Sequence, residues 1–124
     1  MTAKSTGDMG ENIALDYYIS NGYEFVCKNY HSRYGEIDII MKNSDDIVFA
    51  EVKTRNKNSL TKPSEAVDSR KQKRILKTAA VYLDENPTDL QPRFDIIEVI
   101  CGTAAIHINH IENAFCQTDD YAAF

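Results

Sequence analysis

The sequence predicts an α/β fold, a mixed central sheet packed between two helices, in the order α-β-β-β-α-β with one extra C-terminal strand. Apolar residues recur at helical spacing in two segments, one around Ile13 and one around Ile75. Short β-branched and aromatic runs, bounded by turn residues, fill the chain between and after them. The length of 124 residues fits a single domain, taken as 1–124, with one core that needs no staples.

Gly10 to Ser20 reads as the first helix, because Ile13/Tyr17 and Ala14/Tyr18 are i,i+4 pairs on one face. Asn21-Gly22 ends it, with Gly22 suited to a left-handed cap. Tyr23 to Tyr30 has the composition of a strand. Tyr34 to Met41 is the second strand, with Ile37, Ile39 and Met41 marking one face. The polar turn Lys42-Asn43-Ser44-Asp45-Asp46 leads into Ile47–Arg55, so these two strands read as a hairpin. Asn56 to Pro63 is a polar loop in which Leu60 is the apolar exception. Ser64 is placed as the N-cap of the second helix, with Glu65 in the first turn where the dipole favours a carboxylate. That helix runs to about Glu85 on a stripe of Val67, Ile75, Ala79, Tyr82 and Leu83, and Asn86-Pro87 stops it. Arg93–Cys101 is a strongly apolar strand, Gly102-Thr103 a turn and Ala104–Asn109 a last strand. Residues 1–6 and 116–124 are expected to be flexible, and the polar tail after Ile111 to fray.

Hydrophobic residues make up 43% and charged residues 27%, which excludes extensive disorder. Fourteen Lys and Arg against 19 Asp and Glu give a net charge of −5, which argues against indiscriminate coating of nucleic acid. The longest apolar run, Ala79 to Leu83, is far short of the ~20 residues of a membrane span. Met1–Ser5 lacks the apolar run of a secretory signal, so no membrane partner is expected. Cys27, Cys101 and Cys116 are odd in number and contain no CxxC, which fits free thiols and a reducing, cytoplasmic setting.

The chemistry concentrates in Gly35-Glu36-Ile37-Asp38-Ile39-Ile40 and Phe49-Ala50-Glu51-Val52-Lys53-Thr54-Arg55. Side chains alternate along a strand, so Glu51, Lys53 and Arg55 share one face, and Glu36, Asp38 and Ile40 share another. A register with Ile40 opposite Phe49 pairs Glu36 with Lys53, which is favourable, and sets Asp38 against Glu51, which is not. A slip by one residue would put the charged set on the wrong face. A cation between Asp38 and Glu51 resolves the conflict. Two carboxylates beside a lysine form a hard oxygen site suited to Mg²⁺ or Mn²⁺. Such a metal polarises a phosphoryl oxygen and lowers the pKa of bound water, while Lys53 orients that water or stabilises developing charge. Hydrolysis of a phosphodiester is the reaction these parts suit. An E-x-K triplet by itself is more often a solvated strand face.

Asp38 with Glu51-Val52-Lys53 resembles the D…(D/E)-x-K signature, PD-(D/E)xK, of restriction-endonuclease-like nucleases, which include Holliday-junction resolvases. Ile37 stands where that signature carries Pro. Further along, Gly10-Glu11-x-x-Ala14, Gly22-Tyr23, Asn29-Tyr30, Ala66-Val67-x-x-x-Lys71-Gln72 and Arg93-Phe94-Asp95 resemble the YraN-type bacterial family. The resemblance implies a restriction-endonuclease-like α-β-β-β-α-β core. It also implies metal-binding roles for Asp38 and Glu51 and a catalytic role for Lys53. Glu11 matches an acidic residue that approaches the metal in related nucleases; it is equally a helix acid placed by the dipole.

Residues 53–77 hold nine Lys or Arg and two acids, +7, which leaves −12 for the rest of the chain. Such a run is commonly a solvated helix face. Its position next to the E-x-K strand suits a phosphate backbone, with Arg55, Arg70, Lys71, Lys73 and Arg74 as contacts. Lys71 falls within the buried stripe, where it either snorkels or reaches the site. His107 and His110 fall on opposite strand faces and read as structural or surface residues. Tyr17, Tyr18 and Tyr82 read as core, and Tyr30 and Tyr34 as weaker candidates for stacking on bases. The function expected is a Mg²⁺- or Mn²⁺-dependent endonuclease acting on nucleic acid, DNA rather than RNA, with branched or structured DNA as a candidate substrate. The alternatives are a nucleic-acid-binding module of the same fold without turnover, and a small interaction protein that dimerises through a sheet edge. Fold-level analogy with nucleases that cut two strands leaves a homodimer open.

Overall fold

The computed structural model describes residues 3–56 and 67–116. The chain forms α1 (Ala3–Ser20), β1 (Glu24–Ser32), β2 (Gly35–Lys42), β3 (Asp46–Asn56), α2 (Ser69–Glu85), β4 (Gln91–Cys101) and β5 (Ile106–Phe115). The strands make one sheet in the order β1-β2-β3-β4-β5. Neighbours are antiparallel except β3 and β4, which run parallel with α2 lying between them in sequence. The mixed sheet, the element order and the extra C-terminal strand match the expected α/β fold. The expected loop with Lys57, Leu60 and Lys62, the caps at Ser64 and Glu65, and the ends at 1–2 and 117–124 lie outside the described residues.

Three boundaries differ from expectation by more than two residues. First, α1 starts at Ala3 rather than near Gly10. Gly10 is where α1 meets the sheet, since a β-carbon there would run into Thr54 Oγ1 of β3. This close approach sets Glu11 beside the strand that carries Glu51 and Lys53. Second, α2 starts at Ser69, with Asp68 as its N-cap; Asp68 Oδ1 accepts the Lys71 N–H at 2.9 Å. A carboxylate both accepts the orphan N–H and complements the helix dipole. Third, β5 does not fray after Ile111 but continues to Phe115, which pairs with Phe94 and stacks on its ring at 5.4 Å.

Other signals hold as read. Gly22 ends α1 at φ +89°, with its N–H donating to Ile19 O and the Tyr23 N–H donating to Tyr18 O, the paired bonds of a glycine C-cap. Asn86 caps α2, with both its backbone N–H and its side-chain amide donating to Tyr82 O. One face of the sheet packs Ile47, Phe49, Phe94 and Ile96 against Ile75, Leu76 and Ala79 of α2. The other packs Val48, Ala50, Ile97 and Val99 against Ala14 and Tyr18 of α1. Alternation along β3 therefore turns Glu51 and Lys53 to the α2 side. Cys27, Cys101 and Cys116 are free thiols. Among the described residues no helix is long and apolar enough to cross a membrane.

Candidate active site

The register of β2 against β3 is the expected one, with Ile40 opposite Phe49, but the ladder ends at Ile39 and Ala50. The next pair would set Asp38 against Glu51. Asp38 Oδ2 instead accepts the Val52 N–H at 2.8 Å. Ile37 and Ile40 both join the core on the α2 side while Ile39 faces α1, so strict alternation breaks at Asp38. The strands separate where two carboxylates would collide, and the separation opens the site.

Glu51 is only 6% exposed. Its Oε1 lies 2.7 Å from Lys71 Nζ and 3.5 Å from Lys53 Nζ. The N-cap of α2 fixes Lys71, and Gln72 Nε2 donates to Val67 O at 3.0 Å, which anchors the helix entry. The two lysines titrate in opposite directions. Burial, then competition from Lys71, pulls Lys53 below the usual lysine range. Burial also opposes the charge on Lys71, but hydrogen bonds with Glu51 and Lys53 and the attraction of both acids raise it overall. Asp38 is pushed up to about 7, first by burial and then by the charge of Glu51.

Glu11 enters from α1. Its carboxyl is raised, chiefly by burial, against the pull of Lys28 Nζ at 4.0 Å. With its amide turned to donate, Asn29 Nδ2 lies 3.2 Å from Glu11 Oε1 and 3.3 Å from Glu36 Oε1. Asn29 reaches both from a left-handed backbone, φ 55°, which Asn tolerates better than most residues. The expected Glu36–Lys53 pair does not form. Because the ladder has already ended, Glu36 turns to His31 Nδ1 at 3.5 Å.

Two clefts meet at Asp38 and Glu51. One, of about 500 Å³, is lined by Gly7, Glu11, Asp38, Glu51, Val52, Lys53 and Thr54. The other, of about 320 Å³, is lined by Gly35, Glu36, Asp38, Glu51, Lys71, Arg74 and Ile75. The fold thus brings Glu11, Asp38, Glu51 and Lys53 together and sets Lys71 and Arg74 beside them. Arg70 and Lys73 are exposed on α2 and line neither cleft. Arg55 is drawn to β4, where its Nη1 donates to Glu98 Oε2 at 2.8 Å. Glu98 is 1% exposed and also accepts from Asn109 Nδ2 at 2.8 Å, so Arg55 supplies the countercharge a buried carboxylate requires.

Asp38 and Glu51 could hold a divalent cation. Among the described residues no three His, Cys, Asp or Glu side chains converge as a ready-made cage. Mg²⁺ commonly takes one or two carboxylates and leaves its other positions to water and phosphate oxygens. Burial and then the charge of Glu51 hold Asp38 at about 7, and a cation shared by the two carboxylates would offset both. The donor set fits a hard cation.

A second polar cluster, on the α1 side, was not picked out by sequence reasoning. Asp95, 0% exposed, accepts from Tyr18 Oη at 2.8 Å, Arg93 Nε at 3.0 Å, Arg93 Nη2 at 2.9 Å and the Asn113 N–H at 2.9 Å. His110 Nε2 lies 2.7 Å from the same carboxylate, which makes His110 structural, as its strand position suggested. Arg93 also reaches Asp46, Glu112 and Tyr23. The available signal was three charged residues, Arg93, Asp95 and Glu98, inside an otherwise apolar strand, because buried charges need partners.

A profile described as "Uncharacterised protein family UPF0102" matches residues 10–99. A UPF0102 protein of Caldanaerobacter subterraneus subsp. tengcongensis is 46% identical over 116 residues, covering 90% of this chain and 95% of its own. One from Clostridioides difficile is 43% identical over 116 residues, covering 93% and 100%. Another, from Alkaliphilus oremlandii, is 44% identical over 115 residues, covering 90% and 98%. The matched span includes α1 from Gly10 onward, the whole of α2 and every residue of the two clefts except Gly7.

Proposed function

The chain belongs to the uncharacterised protein family UPF0102, and from its own site we propose that it is a Mg²⁺- or Mn²⁺-dependent nuclease hydrolysing phosphodiester bonds in nucleic acid, DNA before RNA. The observation that carries this reading is the meeting of Glu11, Asp38, Glu51 and Lys53 in one open cleft where β2 and β3 part. The D…E-x-K pattern and the α-β-β-β-α-β order support placing the chain among the restriction-endonuclease-like nucleases, beside Holliday-junction resolvases. Branched DNA is therefore the first substrate to try.

Asp38 and Glu51 would hold the metal, which supplies Lewis-acid polarisation of the phosphoryl oxygen and a water of lowered pKa. Lys53 has its pKa lowered by burial and by Lys71, which favours the neutral form that a proton acceptor for the attacking water needs. Lys71 stays charged and faces the neighbouring cleft, where, displaced from Glu51 by the metal, it would stabilise charge on a phosphate. Glu11 adds a carboxyl to the lining of the larger cleft.

Incubation with branched, duplex and single-stranded DNA, in Mn²⁺ or in EDTA, tests this. Cleavage of at least one DNA in Mn²⁺ and of none in EDTA is expected. Binding that weakens with salt but never leads to cleavage would overturn the enzyme and leave the binding module. One observation favours that second reading: Lys71 Nζ at 2.7 Å and Lys53 Nζ at 3.5 Å compete with a cation for Glu51 Oε1.

A further inference from the structure

A further cluster of side chains lies at the turn between β1 and β2, at the mouth of the smaller cleft, which Gly35 lines. Arg33 Nη2 donates to Tyr34 Oη at 2.6 Å, and its guanidinium carbon stands 4.8 Å from the centre of that ring. Lys77 Nζ of α2 stands 5.5 Å from the same ring. The turn is pinned to α2. Ser32 Oγ is 2.9 Å from Thr78 Oγ1, and the Tyr34 N–H donates to Ser32 Oγ at 3.0 Å. A β-carbon on Gly35 would stand 3.4 Å from Arg74 Cβ. Three cations, Arg33, Arg74 and Lys77, are thereby gathered at one cleft mouth by elements far apart in sequence.

Cations placed together repel one another, and an exposed cation–π contact returns only about 0.5–1 kcal/mol. Among the described residues neither Arg33 nor Arg74 makes an ion pair with a carboxylate. Acids outnumber bases in this chain, at a net charge of −5, and none of the described carboxylates is used as countercharge at these two arginines. Such an arrangement suits an anion supplied from outside. On α2, Arg70, Arg74 and Lys77 recur at i, i+4 and i+7, one stripe running away from the turn.

We infer that Arg33, Arg74 and Lys77, ordered around Tyr34, form a docking subsite for a nucleic-acid backbone phosphate close to the phosphodiester held at Asp38 and Glu51. The inference rests on the nucleic-acid reading above. Arg33 takes the phosphate through its planar fork and Lys77 adds a point charge. Tyr34 is a positioning residue that holds Arg33 through its hydroxyl and both cations through its ring.

The test is fluorescence anisotropy of labelled single-stranded and branched DNA titrated with the whole protein across a salt series, with Ca²⁺ replacing Mg²⁺ to suppress turnover. The double variant Arg33→Ala/Lys77→Ala is expected to bind more weakly. Its slope of log Kd against log salt is expected to fall by about 1.4–1.8, from ~0.7–0.9 for each phosphate charge the protein no longer neutralises. Tyr34→Phe, which keeps the ring and removes the bond to Arg33, falls between this variant and the parent. Lys42→Ala removes a single positive charge at the other end of β2 and leaves the slope unchanged. If the double variant unfolds, Arg33→Gln alone carries the expectation, with a slope change of about 0.7–0.9. An unchanged slope in a folded variant, or an equal fall in Lys42→Ala, overturns the subsite while the nuclease reading stands. A parent protein that binds no DNA overturns both.

Discussion

Lys53→Ala is expected to lower the rate of the proposed metal-dependent phosphodiester cleavage by about 10²–10⁴-fold, the range for loss of a positioned proton-transfer group. The fold survives the change. Lys53 stands at the cleft rim, and Glu51 keeps its closer partner Lys71 at 2.7 Å when Lys53 is gone. The loss therefore appears as a fall in rate without a fall in thermal midpoint. The pH profile separates the two lysines. Because the Lys53 pKa lies below the usual lysine range, the parent's rate rises with pH as Lys53 loses its proton. The variant loses the Lys53 contribution and keeps the rise that follows loss of the Asp38 proton at about 7. Lys71→Met keeps the Lys53 limb but moves it to higher pH, since Lys71 is one of the groups that lower Lys53, and it lowers the rate across the profile. Single-turnover cleavage at several pH values is the check, and unchanged cleavage in Lys53→Ala contradicts the assignment.

Asp95→Ala has the opposite signature, with stability collapsing by about 3–5 kcal/mol, the range for removing one partner of a buried ion pair. Arg93, Tyr18 and His110 all lose their shared acceptor, at a carboxylate that is 0% exposed. At about 2–8 °C per kcal/mol, the thermal midpoint falls by at least ~6 °C. Burial alone would raise the Asp95 pKa. Hydrogen bonds from His110, Arg93, the Asn113 N–H and Tyr18 outweigh it and hold the carboxyl down to about 2. An unfolded aspartate titrates near 3.8, so the unfolded chain takes up its proton first as pH falls. The contribution of Asp95, roughly 2 kcal/mol, is complete above about pH 4 and lost as pH falls through about 2. Asp95→Asn keeps the shape and flattens this acid limb. Urea melts of parent and variants between pH 2 and 6 measure it, and coincident curves would show that the cluster carries no stability.

Local signals were legible in the sequence. Gly22 announced the end of α1, Asn43 and its neighbours the β2–β3 turn, and the apolar match of Ile40 with Phe49 fixed the register. Asp38, Glu51 and Lys53 followed from that register. The features not read depend on partners distant in sequence. Glu98 draws Arg55 aside from a strand 43 residues away, and Tyr18 meets Asp95 across 77. Neither contact leaves a period to read. The Glu36–Lys53 pairing assumed a ladder that continues past Asp38, whereas repulsion between Asp38 and Glu51 ends it one step earlier. The start of α2 went to Ser64 because Pro63 precedes it, but Asp68, an equally good cap four residues on, takes that place.

Anomalous scattering from a crystal soaked in Mn²⁺ tests the metal site most directly. A peak is expected between Asp38 and Glu51, with Lys71 Nζ moved from its 2.7 Å contact with Glu51, and no peak in Asp38→Asn. A soaked crystal with no peak there and Lys71 still on Glu51 would contradict a metal-dependent mechanism at these two carboxylates.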